Sequence, residues 1–568
     1  MKRFLLTTLN SKFAHSSLAL NYLKSYNAND QKHDLITMEF TINQPLELIL
    51  REIFRTGREF VFFSCYIWNV EEIKKLLPAL KKMNPNLFIA IGGPEVSYGS
   101  QEFLAENPAC DLIMAGEGEE IFSQVLAELE KDEWDFSAIP ALTYRKDGKI
   151  YHNPADNAPL ALENLPFAYE DEKELREKIV YYESSRGCPY RCAYCLSSLE
   201  KTLRFRPLEQ VRKDLDRFLA LNLRQVKFID RTFNARAPHA MAIWQYIAQN
   251  DNGITNFHFE ITADILSREM LDFLKTVRPG LMQFEIGIQS TNFQTIQAIN
   301  RHVSFEKLKP IVQELRANDN IHLHLDLIAG LPYEDYNSFA HSFDDVYSLR
   351  PHALQLGFLK VLKGTAIYEK REEYQISYLP YAPYEVLSTA FLNASEIVRL
   401  KGVEDALEKY YNSGKFPYTM EYLIAHEPSA FKFYEALGDW WVANGLHLLS
   451  HSTAALADNL YRFCAETKRG EADKLAYALK FDLCLHEKPK KIPACLENLP
   501  KDGAYVDFYR QRENLIKYLP LLDPDDGKSA AKLSHIAQFP YQGARRAVLF
   551  DYSRRSYLGY AYFALLPN

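Results

Sequence analysis

Residues 179–195 read IVYYESSRGCPYRCAYC. An apolar run passes into a polar loop that holds three of the chain's eight cysteines, Cys188, Cys192 and Cys195, spaced C-x3-C-x2-C. Structural zinc takes four ligands, and an electron-transfer iron–sulfur cluster takes four thiolates. Three thiols therefore leave one metal position open, which is where chemistry can occur. The loop ends the first strand of a series: QVKFID (225–230), NFHFEITA (256–263), LMQFEIGIQS (281–290), IHLHLDLIAG (321–330) and ALQLGFLKV (353–361) follow as strand patterns. Helical patterns such as LEQVRKDLDRFLAL and FEKLKPIVQELRAN lie between them. Six strand–helix units predict a partial (β/α)6 barrel with its site at the carboxyl ends of the strands.

Working outward, residues 1–133 show a second alternation, as a doubly wound parallel sheet does. RFLLTTL (3–9), DLITMEF (34–40), FVFFSCYIW (60–68), LFIAIGGPEVS (87–97) and DLIMAGEGEE (111–120) read as strands, with helical patterns between them. Residues 134–177 read as a connector containing a hairpin, ALTYRKDGKIYH, turned at Asp147-Gly148. The barrel is assigned to 178–400. Residues 401–568 read as a mainly helical domain closed by RRAVLFDYSRRSYLGYAYFALLP, which alternates like a strand pair. The expected fold is thus α/β and multidomain.

Bulk composition excludes several classes. Apolar residues are 47% and charged residues 25% of 568, typical of a folded soluble protein. The net charge is −8 and the densest basic stretch is KPKK at 488–491, so no basic face for nucleic acid is expected. The amino terminus, MKRFLLTTLNSKFAHSS, lacks the long apolar region of a signal peptide and reads as a buried strand. No stretch is long enough to span a membrane. A cytoplasmic location is expected, where clustered cysteines suggest metal before disulfide. The scattered cysteines and the Trp440-Trp441 pair read as core.

The cysteine triplet, with the aromatic Tyr194 before its last member, followed in order by GIQS and DLIAGLP, resembles the radical S-adenosylmethionine superfamily over about residues 179–400. The resemblance implies a [4Fe-4S] cluster on Cys188, Cys192 and Cys195, with S-adenosylmethionine on the open iron. It implies Asp230 facing the methionine moiety, with Glu260, Gln289 and Ser290 at the next strand ends. Arg301 is expected to pair with the methionine carboxylate, and Gly330 and Glu334 to stand at the adenine.

The first domain resembles the cobalamin-binding domain that precedes many such barrels. The loops GGPEVS (Gly92, Gly93, Pro94, Glu95) and GEGEE (Gly116, Glu117, Gly118) carry that resemblance, the glycines letting backbone approach a large flat ligand. Tyr66 and Trp68 are expected over a corrin face. The loop around His15 keeps a histidine but lacks the aspartate and glycine of the D-x-H-x-x-G pattern that ligates cobalt. Its two open roles are cobalt ligation and a bond to a polar group of the corrin, and the missing aspartate argues against the first.

The domain order resembles a bacterial family of cobalamin-dependent radical enzymes whose third domain has no assigned function. The resemblance implies methylation of an unactivated carbon through a 5′-deoxyadenosyl radical and methylcobalamin. The implied partners are a small-molecule substrate and a low-potential electron donor of the flavodoxin or ferredoxin type. Radical cyclisation or rearrangement, RNA modification, and a regulator without turnover are the alternatives.

Overall fold

The computed structural model describes residues 2–28, 33–155, 159–169, 175–200, 202–489, 491–503, 505–541 and 544–567. Parts of the connector stretch and Lys490 of KPKK therefore lie outside the described residues.

The first sheet has seven strands: β1 Arg3–Asn10, β2 Asp34–Thr41, β3 Phe60–Ser64, β4 Phe88–Gly92, β5 Leu112–Met114, β6 Leu142–Lys146 and β7 Lys149–His152, in the order β2-β1-β3-β4-β5-β6-β7. The first five are parallel, and each face has its own core. Leu5, Val61, Phe63 and Ile91 pack beneath the helices Leu46–Arg55 and Val70–Met83. Phe4, Phe62 and Leu112 pack beneath Leu18–Tyr26 and Gly118–Leu129. Burial on both faces explains the unbroken apolar runs of the sequence.

Two details differ from expectation. β3 stops at Ser64, not at Trp68, because Asn69 turns the chain: its Oδ1 accepts from Tyr66 N at 2.8 Å and its Nδ2 donates to Ser64 O at 3.2 Å. The hairpin turned at Asp147 and Gly148 (φ 49° and 74°) pairs antiparallel onto β5, so it extends the first sheet.

The chain then builds β8 Ile179–Tyr182, followed by a short antiparallel ribbon of β9 Ser185–Arg186 and β10 Arg204–Phe205 that brackets the cysteine loop. With β11 Gln225–Phe228, β12 Asn256–Ile261, β13 Met282–Gln289, β14 His322–Ala329 and β15 Ala353–Phe358, β8 forms a parallel sheet in simple chain order. β8 and β15 are its two edges. The loop after β1 meets the β8 edge, where Ile179 N donates to Ala14 O at 2.7 Å and His15 bridges Ile179.

β16 Ser377–Tyr378 and β17 Val386–Ser388 form a small ribbon before the third domain. The sequence NASE starts the helix Ala394–Leu407 as a capping box, Asn393 accepting from Glu396 N and Glu396 from Asn393 N. Further helices run to His486. Trp441 is fully buried among them, and Trp440 donates to Glu466 at 2.6 Å. The end of the chain holds three strands rather than two: β18 Ser534–Tyr541, β19 Ala544–Arg555 and β20 Ala561–Leu565, all antiparallel. Among the described residues, no helix is long and apolar enough to cross a membrane.

Candidate functional site

The cysteine loop sits at the carboxyl end of β8 and is tied to the barrel by its backbone. Ala193 N donates to Ile299 O at 2.8 Å, and Ile367 N donates to Ala193 O at 2.9 Å. All three thiols are free, Cys192 buried and Cys188 and Cys195 half-buried. Burial pushes the Cys192 thiol up, the other two thiols push the same way, and the Arg301 guanidinium opposes them. Arg301 donates to Cys192 Sγ at 3.6 Å, to Tyr194 OH at 3.2 Å and to Gly287 O. Cys188 Sγ lies 3.7 Å from Thr232 Oγ1. Among the described residues, no group of His, Cys, Asp and Glu converges as around a single ion. The thiolates of a cubane bind different irons and do not have to converge on one point. The donor set therefore fits a cluster with one iron left open.

The expected S-adenosylmethionine residues divide in two. Gln289, Arg301 and Glu334 each hold one buried polar atom without a hydrogen-bond partner in the chain: Oε1, Nε and Oε2. Buried polar atoms are otherwise nearly always satisfied, so these three atoms, at the end of β13 and in the connections that follow β13 and β14, fit an absent polar ligand. Gln289 also stands at φ 72° beside a register shift in β13. Ser290 is committed elsewhere: it donates to Glu334 Oε1 at 2.6 Å, and Ser342 does so at 2.8 Å. Burial raises the Glu334 carboxyl to about 7.

Asp230 departs from expectation. It is 1% exposed and accepts from Ser184 N (2.9 Å), Ser184 Oγ (2.7 Å) and Ser185 Oγ (2.6 Å). It anchors the entry to the cysteine loop, so both of its oxygens are taken. Burial raises it to about 6 despite those bonds. A Cβ on Gly330 would lie 2.8 Å from Val386 Cγ1, so packing against β17 explains this glycine. Arg301 spends three of its five N–H groups on the cysteine loop and β13, and Nε and one Nη2 hydrogen remain for a ligand.

On the first domain, the Tyr66 and Trp68 rings stack 4.3 Å apart, 6° from parallel, and Trp68 is 43% exposed. This is a flat apolar platform suited to a macrocycle. Gly116 (φ 77°) has open space where a Cβ would stand, as a ligand approach requires. Gly93 (φ 116°) has another reason: its Cβ would lie 2.4 Å from Cys65 O. The space beside Gly92 is filled by Met114, and that beside Gly118 by Leu23. Pro94 opens the short helix Pro94–Ser97, and Glu95 accepts from Tyr384 OH at 2.5 Å. Pro94, Glu95, Tyr98, Leu196, Lys363 and Tyr384 line a small cleft of about 70 Å³ between first domain and barrel.

Two expected cofactor residues face the barrel instead. Glu117 pairs with Arg204 and lies 3.4 Å from Arg186, and its Oε2 accepts from Leu160 N. Arg186 also meets Glu119 at 2.8 Å and Glu183 at 2.5 Å. Arg186 lies two residues before Cys188, so two acids of the first domain grip the root of the cysteine loop. His15 Nδ1 lies 2.5 Å from Tyr181 OH. Burial, then Lys12 and Lys227, lower its pKa and favour the neutral ring. Only Nε2 is left for another partner.

One group, apart from Glu260, went unread in the sequence. Residues on the inner face of the barrel sheet are ionisable: Lys227 lies 3.0 Å from Glu285 and 3.9 Å from Glu260, His258 lies 3.0 Å from Glu285, and His324 lies 3.1 Å from Asp326. The available signal was the alternation HLHLDL in β14, which puts the polar residues on one face.

Residues 5–126 match the B12 binding domain, 182–346 the Radical SAM superfamily, and 372–549 a family described as a protein of unknown function, DUF4080. A 2-(S-pantetheinyl)-carbapenam-3-carboxylate methyltransferase of Streptantibioticus cattleyicolor is 27% identical over 302 residues, 50% of this chain and 44% of that protein. The cobalamin-dependent radical SAM methyltransferase TokK of Streptomyces tokunonensis is 26% identical over 345 residues, 56% and 50% of the two chains. The matches thus span about half the length of these relatives. The solved structure of OxsB, a cobalamin-dependent S-adenosylmethionine radical enzyme with aqua-cobalamin bound, superposes with TM-score 0.61 and 15% identity over 85% of this chain and 84% of that one.

The fold and its matches define a multidomain protein with a B12-binding domain ahead of a Radical SAM domain. More narrowly, the chain is the form of that class whose third domain is DUF4080. The cofactor set of these domains is a [4Fe-4S] cluster, S-adenosylmethionine and cobalamin.

Proposed function

We propose that the protein is a cobalamin-dependent radical S-adenosylmethionine methyltransferase acting on an unactivated carbon of a small molecule. The observation that carries this reading is the cysteine triplet at the end of β8 with Arg301 against Cys192, on a barrel whose following strand ends hold unpartnered buried atoms on Gln289 and Glu334. Cys188, Cys192 and Cys195 would hold the cluster; Gln289, Arg301 and Glu334 would orient S-adenosylmethionine; Tyr66, Trp68 and Gly116 would receive cobalamin. When bound, these groups supply an electron, a carbon-centred radical and a methyl group. The chain's own part is positional. Arg301 braces the cysteine loop with a guanidinium beside a thiol, Asp230 fixes the strand end before that loop, and Arg186 fastens the loop to the first domain. A low-potential donor of the flavodoxin or ferredoxin type in the cytoplasm would serve as the reductant.

The test uses anaerobically reconstituted full-length protein with dithionite. S-adenosylmethionine should yield 5′-deoxyadenosine slowly without substrate. With the true substrate, S-adenosylhomocysteine should rise with it, one of each per methyl transferred. Changing Cys188, Cys192 and Cys195 to Ala should abolish the visible cluster absorbance, whereas changing Cys464, Cys484 and Cys495 to Ala should leave it. 5′-Deoxyadenosine without S-adenosylhomocysteine in the presence of substrate would move the reading to cyclisation or rearrangement.

A further inference from the structure

The four-residue helix Pro94–Ser97 is where the first domain's two glycine loops and its aromatic platform meet. The preceding Gly93 packs on Cys65 so closely that a Cβ would lie 2.4 Å from Cys65 O, and Cys65 N donates to Gly92 O at 2.7 Å. Cys65 directly precedes Tyr66, the first ring of the stacked pair. At the other end of the helix, Ser97 Oγ donates to Gly93 O at 2.9 Å and accepts from Gly116 N at 3.2 Å. Wherever this helix sits, the Tyr66–Trp68 platform and the Gly116 turn sit with it.

What holds the helix lies outside the first domain. Tyr384 OH donates to Glu95 Oε1 at 2.5 Å, across 289 residues of chain. Burial raises the Glu95 carboxyl, and the Tyr384 hydroxyl is the strongest influence against it. Gly364 leaves room for the neighbouring ring, since a Cβ there would lie 2.9 Å from Tyr98 Cδ1. Lys363 Nζ donates to Glu102 at 2.9 Å, but an exposed ion pair holds little by itself. The Tyr384–Glu95 bond is charge-assisted and half-buried, so it is the stronger tie.

Tyr384 lies between β16 and β17, inside the span 372–549 that matches DUF4080. It is fixed on the barrel side: Val361 N donates to Tyr384 O at 3.0 Å, and Val386 N to Leu359 O at 2.9 Å. Lys401, on the helix Ala394–Leu407, meets Glu385 at 3.0 Å. Tyr384 stands at φ 56°, a left-handed conformation that a residue with a Cβ keeps only where its surroundings impose it.

We propose that the ribbon β16–β17 at the head of the third domain is a positioning strap for cobalamin, with Tyr384 as the positioning residue that acts through Glu95 on the platform and the Gly116 turn. The proposal rests on the function proposed above for what these loops receive, and on the contacts alone for what holds them. Loops already held in their binding geometry need no ordering when a ligand arrives, which raises affinity. The third domain thereby gains a task that neither the cysteine loop nor the barrel strands perform.

The test has two parts, both on cluster-loaded full-length protein. Hydrogen exchange read by mass spectrometry, without cobalamin, reports on the strap itself. Tyr384→Phe removes one hydroxyl and should speed exchange about threefold in residues 65–69, 92–98 and 114–118, with β11 and β12 unchanged. Absorbance titration with hydroxocobalamin reports the consequence. Tyr384→Phe should weaken binding about fivefold and leave the visible absorbance of the cluster as it is. Glu95→Ala should match it, and the two changes together should be no worse than either alone. Glu95→Gln keeps an acceptor for the Tyr384 hydroxyl and should restore wild-type binding, a rescue that a merely structural role would not show. Unchanged exchange in the three segments, exchange raised evenly over the first domain, or a Gln variant no better than Ala overturns the strap. Faster exchange with unchanged affinity overturns the positioning role. A wild-type protein that shows the exchange pattern and binds no cobalamin would sink the cobalamin reading instead and leave the strap.

Discussion

Strands β3 and β14 both lie inside parallel sheets, yet their side chains obey different rules. All five residues of β3, FVFFS, are buried, whereas β14, HLHLDLIA, alternates strictly between half-buried and buried. The first sheet is covered by helices on both faces, so every position must be apolar or internally satisfied. The barrel sheet is packed only on its outer face and turns its inner face to the site. A two-sided sheet spends its sequence on stability. A one-sided sheet spends half of it there and leaves the other half free for chemistry.

Substitutions should separate the two regimes. The largest expected effect is Phe62→Ala in β3, which empties a fully buried ring position and should cost about 3–5 kcal/mol. It would be read as a lowered urea midpoint for the first domain. A loss below 1 kcal/mol would mean that the two-sided core is looser than its burial implies. Next comes Leu356→Ala on the outer face of β15, 2% exposed, at about 2–4 kcal/mol by the same measurement.

Asp230 offers a pH test in the same range. Its folded pKa, about 6, lies above the usual carboxylate value, so the native state binds the proton more tightly than the unfolded state. Its contribution to stability therefore falls as pH rises from about 4 to 6 and stays low above that. The wild-type protein should lose on the order of 2–3 kcal/mol from this group across that window. Asp230→Asn should remove that slope in urea titrations at successive pH values, and an unchanged slope would refute the assignment.

The smallest expected effect is Gln355→Ala. It neighbours Leu356 in sequence and pairs with Asp326 on the inner face. It should change stability by about 0.5 kcal/mol or less. Adjacent residues differing severalfold in cost would sharpen the contrast between faces, and equal costs would break it.

The layered architecture was legible because hydrophobic periodicity reports layers. The runs at 3–9, 60–68 and 87–97 predict a doubly wound sheet, and the six strand patterns from Ile179 give the barrel in order. The cysteines were legible through their spacing alone. What escaped the sequence were the partners of charged residues. Asp230 reads as a strand-end acid, but two consecutive serines just beyond β8 take its oxygens. Glu117 and His15 stand on loops that resemble ligand loops, but they bond to Arg204 and Tyr181, 87 and 166 residues away. Pairings over such separations depend on how domains dock, which no local pattern encodes. Strand β18 was missed for a related reason: its residues SHIAQFPY mix polar and apolar side chains and acquire strand geometry by pairing with β19.

The grip of Glu117 and Glu119 on Arg186 makes the two front domains a unit of inheritance rather than a pair of interchangeable parts. Arg186 is 13% exposed at its side chain and faces three acids, two of them on the other domain. A barrel grafted behind a foreign first domain would keep one of those acids and bring in whatever the newcomer offers. Without matching acids, an enclosed guanidinium beside the cysteine loop would lose most of its counter-charge, a change that costs several kcal/mol when one side of a buried pair is removed. A successful chimera should therefore require transplanting two glutamates together with the domain, and their spacing at the start of a single helix makes that graft short.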